Sequence, residues 1–280
     1  MTAVAICSWS LRPRSPEELA ERALAAGVSA VQLALDPVRT RWGVERTRRV
    51  LAARGIRIVS GMMAMEGEDY STLSSIERTG GVRPDATWPK NAAAAAENAA
   101  IARALGLKLV TFHAGFLPED PAHPEGGVML GRLRALRDTF AAAGVGIALE
   151  TGQERAGVLL SLLAGLEGIG VNFDPANIIL YGTGDPVAAL VLLAPHIVQV
   201  HIKDARPSAT PGEWGVEVPV GEGGKGGVDW DGFFGAFRES GLSCDLVIER
   251  EAGDDRVADV ARARALLARH GFGEGGRAGP

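Results

Sequence analysis

Glu150, Asp174, His201 and Glu249 each close a short apolar run: Ile147-Ala148-Leu149, Val171-Asn172-Phe173, Val198-Gln199-Val200 and Leu246-Val247-Ile248 respectively. If these runs are strands of one closed sheet, three carboxylates and an imidazole meet at a single rim. Without a cation they would repel one another. A mixed oxygen and nitrogen donor set suits Mn²⁺, Mg²⁺, Co²⁺ or Zn²⁺, and the lack of thiolate argues against a structural zinc site. A lone acid or histidine at a strand end is more often bonded to loop backbone; four on consecutive strands are better explained as ligands of one divalent ion. His113 closes a further run, Thr111-Phe112. Three roles stay open for it: a second metal ligand, a substrate contact or a structural histidine. His123, His196 and His270 fall in loops or helix ends and read as incidental.

The elements that must bring these groups together follow from the alternation along the chain. Strand candidates lie at residues 4–9, 30–35, 57–63, 108–113, 146–150, 170–174, 197–201 and 245–249, separated by Ala/Leu/Arg/Glu-rich amphipathic stretches. That rhythm implies βα units and a parallel sheet covered on both faces. Ser15-Pro16-Glu17-Glu18 is a helix start, with an N-cap serine, proline at the first helical position and acids near the positive end. Asp185-Pro186 and Asp229-Trp230-Asp231 repeat the signal, while Gly27, Gly55, Gly106, Gly144 and Gly241 mark helix ends. Eight such units predict an α/β fold, a single (β/α)8 TIM barrel over residues 1–270. A Gly-rich, flexible tail follows at 271–280. An open dinucleotide-binding sheet fits less well, since no Gly-x-Gly-x-x-Gly follows the first strand.

Two connections are too long for simple turns, residues 64–89 and 204–229, and both fall on the barrel face where active sites are built. The second carries Trp214 and the run Gly221-Glu222-Gly223-Gly224-Lys225-Gly226-Gly227. Backbone N–H groups of such a run could cradle a phosphate, although Glu222 opposes an anion and glycine runs also occur in mobile flaps. Trp9, Trp88, Phe116 and Trp214 could wall a bound ligand or serve as packing. Lys203 and Asp204 read as a local ion pair or as a substrate contact through Lys203.

The 280 residues are 46% hydrophobic and 22% charged, with a net charge of −5; that composition excludes a basic nucleic-acid surface. Two cysteines, Cys7 and Cys244, match no zinc or redox spacing and are expected as buried free thiols. The N-terminus reads as a strand rather than a signal peptide. No run is long enough to span a bilayer, so no membrane partner is expected and the reducing cytoplasm is the simplest location.

Taken in order, Thr111-Phe112-His113-Ala114-Gly115, Ala148-Leu149-Glu150, Asn172-Phe173-Asp174-Pro175-Ala176-Asn177, Val200-His201-Ile202-Lys203-Asp204, Val220-Gly221-Glu222-Gly223 and Val247-Ile248-Glu249 resemble the xylose isomerase-like barrels, the sugar phosphate isomerase/epimerase family. The similarity runs through nearly the whole chain. It implies one divalent metal, Mn²⁺ above all, held by Glu150, Asp174, His201 and Glu249, with the two glutamates also moving protons and a dimer or tetramer as the assembly. It implies a carbohydrate substrate contacted by Arg206. Asn177 stands where many members have histidine, and so is expected to bond substrate or a ligand residue. Gln32 and Asp36 flank the place where epimerases often carry an acid on the second strand, and neither is a clear match. Apurinic endonucleases of the family need further histidines on early strands, and none precedes His113.

The chemistry implied is proton transfer next to a carbonyl: a metal stabilises the developing enediolate while one carboxylate removes a proton and the other returns one. Trp9, His113, Asn177, Lys203 and Arg206 are the candidate substrate contacts. A lyase or hydrolase on oxidised sugars could use the same site; a nuclease or a non-catalytic sugar-binding subunit fits less well.

Overall fold

The computed structural model describes residues 2–118, 123–210 and 212–273. Eight parallel strands close into a barrel: β1 Val4–Cys7, β2 Ala30–Ala34, β3 Arg57–Met62, β4 Leu109–Phe112, β5 Gly146–Glu150, β6 Ile169–Phe173, β7 Ile197–Ile202 and β10 Asp245–Ile248, with β10 pairing to both β1 and β7. All eight expected strands are present, with ends moved by one or two residues. The expected helix starts hold as well. Ser15, Asp185 and Asp229 each accept a backbone N–H three residues on, from Glu18 (3.2 Å), Ala188 (2.7 Å) and Gly232 (3.1 Å). Each satisfies one of the unpaired donors that every helix start leaves.

The long connections are structured. Residues 64–87 contain a helix, Leu73–Thr79, closed by a reciprocal capping box between Thr72 and Ser75. The connection after β7 folds into an antiparallel ribbon, β8 Asp204–Arg206 with β9 Val216–Val218. Its short strands are hard to see in a glycine-rich stretch.

Most of the apolar core lies between the barrel wall and the helices, from Ile6 and Leu33 to Phe173, Phe233 and Phe234. Inside the barrel a smaller apolar group, Ala5, Cys7, Ala30, Ala34, Met62 and Val247, meets a layer of polar side chains. Ser60 Oγ donates to Gln199 Oε1 (2.6 Å), Gln199 Nε2 to Asn172 Oδ1 (3.1 Å) and Gln32 Nε2 to Thr111 Oγ1 (2.9 Å), all buried. Strand alternation puts these residues on the inner face, two positions before the strand-end groups above them.

Cys7 is buried and Cys244 half-buried, both as free thiols. The segment expected to be flexible starts as a packed turn: Phe272 sits against Phe234 and Phe237, with centroids at 5.1 and 5.7 Å. The remainder of that segment, 274–280, lies outside the described residues. No helix among the described residues is long and apolar enough to cross a membrane.

Candidate metal centre and substrate cavity

Glu150 ends β5, Asp174 and Glu249 follow β6 and β10 by one residue, and His201 sits in β7. The barrel brings one donor atom from each to within 4.8 Å of the others. All four are at most 4% exposed. His201 Nδ1 lies 3.3 Å from Glu249 Oε2, 3.4 Å from Glu150 Oε1 and 3.8 Å from Asp174 Oδ2.

The chain around each ligand fixes its orientation. Asp174 is the N-cap of helix Pro175–Tyr181, where its Oδ1 accepts from Ala176 N–H (2.8 Å) and Asn177 N–H (3.1 Å). The cap spends one oxygen and turns the other, Oδ2, toward the cluster. Glu150 Oε1 accepts from Asn177 Nδ2 (3.0 Å) and Oε2 from Asn172 Nδ2 (3.2 Å). Gln32 Oε1 lies 2.9 Å from His201 Nε2. Placing the imidazole proton there leaves the Nδ1 lone pair aimed at the three carboxylates, the usual way a neighbouring acceptor sets a metal-binding tautomer.

Asp174 Oδ2 and His201 Nδ1 are buried and without a hydrogen-bond partner. Orphaned polar atoms in a protein interior cost about 1–3 kcal/mol each. Two of them facing the same point, in a set of three carboxylates and one imidazole, fit a divalent cation.

Electrostatics agree. Burial pushes the Glu249 carboxyl up, but the charges of Lys203 and His201 outweigh it and hold the group well below the usual carboxylate range. Burial pulls His201 and Lys203 down, yet the surrounding carboxylates, Glu249 foremost, hold both well above their ordinary values. Asp174 is shifted up, because burial exceeds the relief given by Lys203. The three carboxylates thus favour positive charge at their centre, and a divalent ion bound through Nδ1 would compete with a proton for that atom.

The ligand set opens into a cavity of about 430 Å³. Glu150 and Glu249 reach its wall, as do the expected contacts Trp9, His113 and Asn177. Met62, Met63, Phe112, Leu180, Tyr181 and Trp214 form an apolar side, and Tyr181 packs on Trp214 with centroids 4.7 Å apart. His113 Nε2 lies 3.5 Å from Glu150 Oε1, and its Nδ1 has no partner. A larger groove of about 680 Å³ runs between Arg83, Asp85 and Glu125. Arg83 pairs with Glu125 there, and Asp85 with Arg132, so no ligand set converges in it.

Several expectations need correction. Lys203 does not pair with Asp204, because adjacent residues of an extended chain face opposite ways. Lys203 points inward, 2% exposed. It donates to Glu249 Oε2 at 3.0 Å and to Glu251, and lies 3.7 Å from Asp174 Oδ2; it braces the ligand carboxylates and is not among the cavity-lining residues. Asp204 points outward and takes the glycine run: its carboxylate accepts from Gly221 N–H (2.9 Å), Gly223 N–H (3.3 Å), Val228 N–H (3.1 Å) and Trp230 Nε1 (3.1 Å). The amides offered for a phosphate are occupied by an internal carboxylate. Arg206 is exposed and its guanidinium donates to Glu222 O at 2.7 and 3.1 Å, away from the cavity lining. Trp88 lies beneath the Arg132 guanidinium, 5.2 Å from its centre, and Phe116 packs edge-on to Tyr181.

Sequence reasoning missed Glu68, Tyr70, Tyr181 and Glu251 in the cavity wall. It also missed Glu154, a half-buried acid whose carboxyl burial pushes up to about 8, opposed by His113. The sign is clear. An acid whose folded pKa is raised destabilises the fold as pH rises from its unfolded value, about 4.3, to the folded one. Glu154→Gln is expected to raise the melting temperature by about 2–4 °C at pH 8.5 and to leave it unchanged at pH 4. Thermal melts at the two pH values check this; an equal shift at both rejects it.

A family model described as xylose isomerase-like TIM barrel matches residues 20–270. Among solved structures, a xylose isomerase domain protein from Planctomyces limnophilus is 30% identical, with 96% of this chain and 97% of that chain covered and a TM-score of 0.86. An L-ribulose 3-epimerase is 20% identical over 96% and 94%, with a TM-score of 0.71. A xylose isomerase-like TIM barrel protein from Mycobacterium smegmatis, in complex with magnesium, is 18% identical over 91% and 87%, with a TM-score of 0.68. No curated protein matches the chain in sequence.

Proposed function

Because this chain belongs to the xylose isomerase-like TIM barrel family, we propose that it is a metal-dependent sugar isomerase or epimerase that moves a proton at a carbon next to a carbonyl. The observation that carries this reading is the pairing of Glu150 and Glu249. Both are cavity-facing carboxylates on barrel strands that are not neighbours, and both belong to a ligand set with two unpartnered donor atoms. A binding module would not need two opposed carboxylates.

Glu150, Asp174, His201 and Glu249 would hold the ion, with Mn²⁺ the first choice. Once bound, it would supply Lewis-acid stabilisation for the negative charge that builds up as the proton leaves. The remaining work falls to the chain. One of the two glutamates accepts the proton and the other returns one to the opposite face or to the neighbouring carbon. Asn177 Nδ2 holds Glu150 Oε1, and Lys203 Nζ holds Glu249 Oε2, so neither carboxylate is free to swing away. His113, with its unpartnered Nδ1, is a hydrogen-bonding group for a substrate oxygen. Trp9, Phe112, Tyr181 and Trp214 cover the carbon skeleton and exclude water. Free thiols at Cys7 and Cys244 suit a reducing cytoplasm.

The test has two stages. Elemental mass spectrometry of purified protein is expected to find about one divalent ion per chain. The Mn²⁺-loaded protein is then incubated in D₂O with a panel of ketoses that includes D-allulose and L-ribulose. Deuterium incorporation at the carbon beside the carbonyl is the expected result. A metal-loaded protein that exchanges no hydrogen into any sugar would sink the reading.

A further inference from the structure

Residues 64–88 form a fixed wall of the cavity rather than a flap. At one end Ala64 N–H donates to Asp36 Oδ2 (2.9 Å) and Glu66 N–H to Asn91 Oδ1 (2.7 Å). At the other, the segment is clasped to the chain leaving β4, with Val82 N–H donating to Ala114 O at 2.9 Å. Here two glycines let backbone touch backbone: a Cβ on Gly81 would lie 1.9 Å from Ala114 O, and one on Gly115 would lie 2.3 Å from Gly80 O. Both have positive φ, 63° and 85°, so glycine is required twice over. Between these anchors Gly81 N–H donates to Glu68 Oε1 at 2.9 Å, and Glu68 faces the cavity beside Tyr70 and His113.

The charge around the cavity is one-sided. Glu68, Glu150, Glu249 and Glu251 line it, with Asp174 buried behind them. A divalent ion and Lys203 offset three of these five carboxylates, leaving two negative charges, or one if His113 is protonated. Other groups able to receive an anion are already engaged: Lys203 by Glu249 and Glu251, Arg206 by Glu222 O, and the Gly221 and Gly223 amides by Asp204. What the wall still offers is the indole N–H groups of Trp9 and Trp214, buried and unpartnered, and His113, whose positive form is already drawn on by Glu150, Glu68, Glu251 and Glu249.

We propose that the site admits neutral polyhydroxy compounds and rejects their phosphorylated or carboxylated counterparts, and that Glu68 is the residue that sets this discrimination. The proposal rests on the sugar reading above for the shape of its ligand. Glu150 and Glu249 are committed to the metal, and Glu251 is paired with Lys203. Glu68 has no lysine or arginine partner among the described residues. Burial disfavours the charged form of Glu68 and His113 favours it; once ionised, Glu68 meets an entering anion with no lysine or arginine to cancel its charge.

The test is ligand binding to the Mn²⁺-loaded protein, read by calorimetry and by quenching of tryptophan fluorescence. The probes are D-fructose, D-fructose 6-phosphate and glycolate, a small metal-directed anion that needs no sugar-shaped pocket. D-Fructose is expected to bind at least tenfold more tightly than its 6-phosphate. Glu68→Gln keeps the acceptor for Gly81 N–H; it is expected to tighten the 6-phosphate and glycolate about fivefold each and to leave D-fructose within twofold. Glu66→Gln, on the same segment but exposed and paired with Lys90, is the control for overall charge and is expected to change none of the three. A 6-phosphate that binds as tightly as the free sugar overturns the proposal, and so does glycolate affinity that is unmoved by Glu68→Gln. If neither sugar binds, glycolate alone decides the role of Glu68. If the discrimination holds while no sugar exchanges hydrogen with D₂O, the isomerase reading fails and the charge selectivity stands.

Discussion

Glu150→Gln is expected to slow hydrogen exchange into a ketose by about 10³-fold at saturating Mn²⁺, whereas Asp174→Asn is expected to lose activity only through lost metal. The two acids differ in what surrounds them. Asp174 is 0% exposed and does not line the cavity. One of its oxygens is spent on the helix cap, so its reach is limited to the ion. Asparagine has one oxygen for two tasks, the cap and the ion, and its NH2 group cannot ligate a cation. Affinity should fall by about two orders of magnitude, and raising Mn²⁺ should recover most of the rate. Glu150 borders the cavity as well as the ligand set. Its glutamine replacement meets two amide donors, Asn172 Nδ2 and Asn177 Nδ2, with only one oxygen, so one amide must turn over. That repair can restore packing but not a base. Exchange rates measured across a Mn²⁺ titration separate the two cases. Glu150→Gln should plateau low and Asp174→Asn should climb toward the wild-type plateau. Full recovery of Glu150→Gln by metal would remove its catalytic assignment and leave it a ligand.

The contrast between these acids bears on what the chain discloses before it folds. Charged groups that close apolar runs are conspicuous, because a strand buried on both faces has no other reason to end in a carboxylate; Glu150, Asp174, His201 and Glu249 were legible for that reason. The layer below them is equally present in the sequence and gives a weaker signal. Gln32, Thr111, Asn172 and Gln199 each lie inside an apolar run, and Asn172 and Gln199 stand two residues before Asp174 and His201. Period two puts them on the same inner face as the ligands, where a polar residue must find polar partners. Glu68 and Glu251 left no comparable signal. They sit in connections where acids are ordinary, and only the Gly81–Gly115 clasp and the Lys203 contact turn them toward the cavity. Lys203 and Asp204 are adjacent in sequence, yet extended backbone geometry sends them to different partners, Glu249 and the Gly221 amide. Arg206 stands apart from the cavity lining for a related reason: β8 and β9 form a ribbon of their own, and it carries the guanidinium to Glu222 O.

Lys203→Met is expected to destabilise the metal-free protein by about 3 kcal/mol while tightening its hold on metal. Lys203 Nζ is the ammonium beside the ligand carboxylates, 3.0 Å from Glu249 Oε2 and 3.7 Å from Asp174 Oδ2, with the two acids at most 3% exposed. Taking one partner from a buried ion pair leaves an uncompensated charge and typically costs about 3–5 kcal/mol. Glu251 is 58% exposed, and water takes over its share. The pH window follows from the shifts. Lys203 is raised above its ordinary value, so its contribution is fully present below about pH 10 and is lost as pH rises through the folded value. Glu249 is held low, so its contribution is present above about pH 4.3 and is lost as pH falls through the folded value. The penalty should therefore be full at pH 7 and shrink in acid. Metal reverses the balance, because a divalent ion supplies the positive charge the variant lacks and no longer has an ammonium beside it. Melting of the metal-free variant at pH 7 should come about 6–12 °C below wild type, and saturating Mn²⁺ should raise the variant more than it raises wild type. An unchanged metal-free melting temperature would mean that the carboxylates already share protons among themselves, and that Lys203 is not what holds Glu249 ionised.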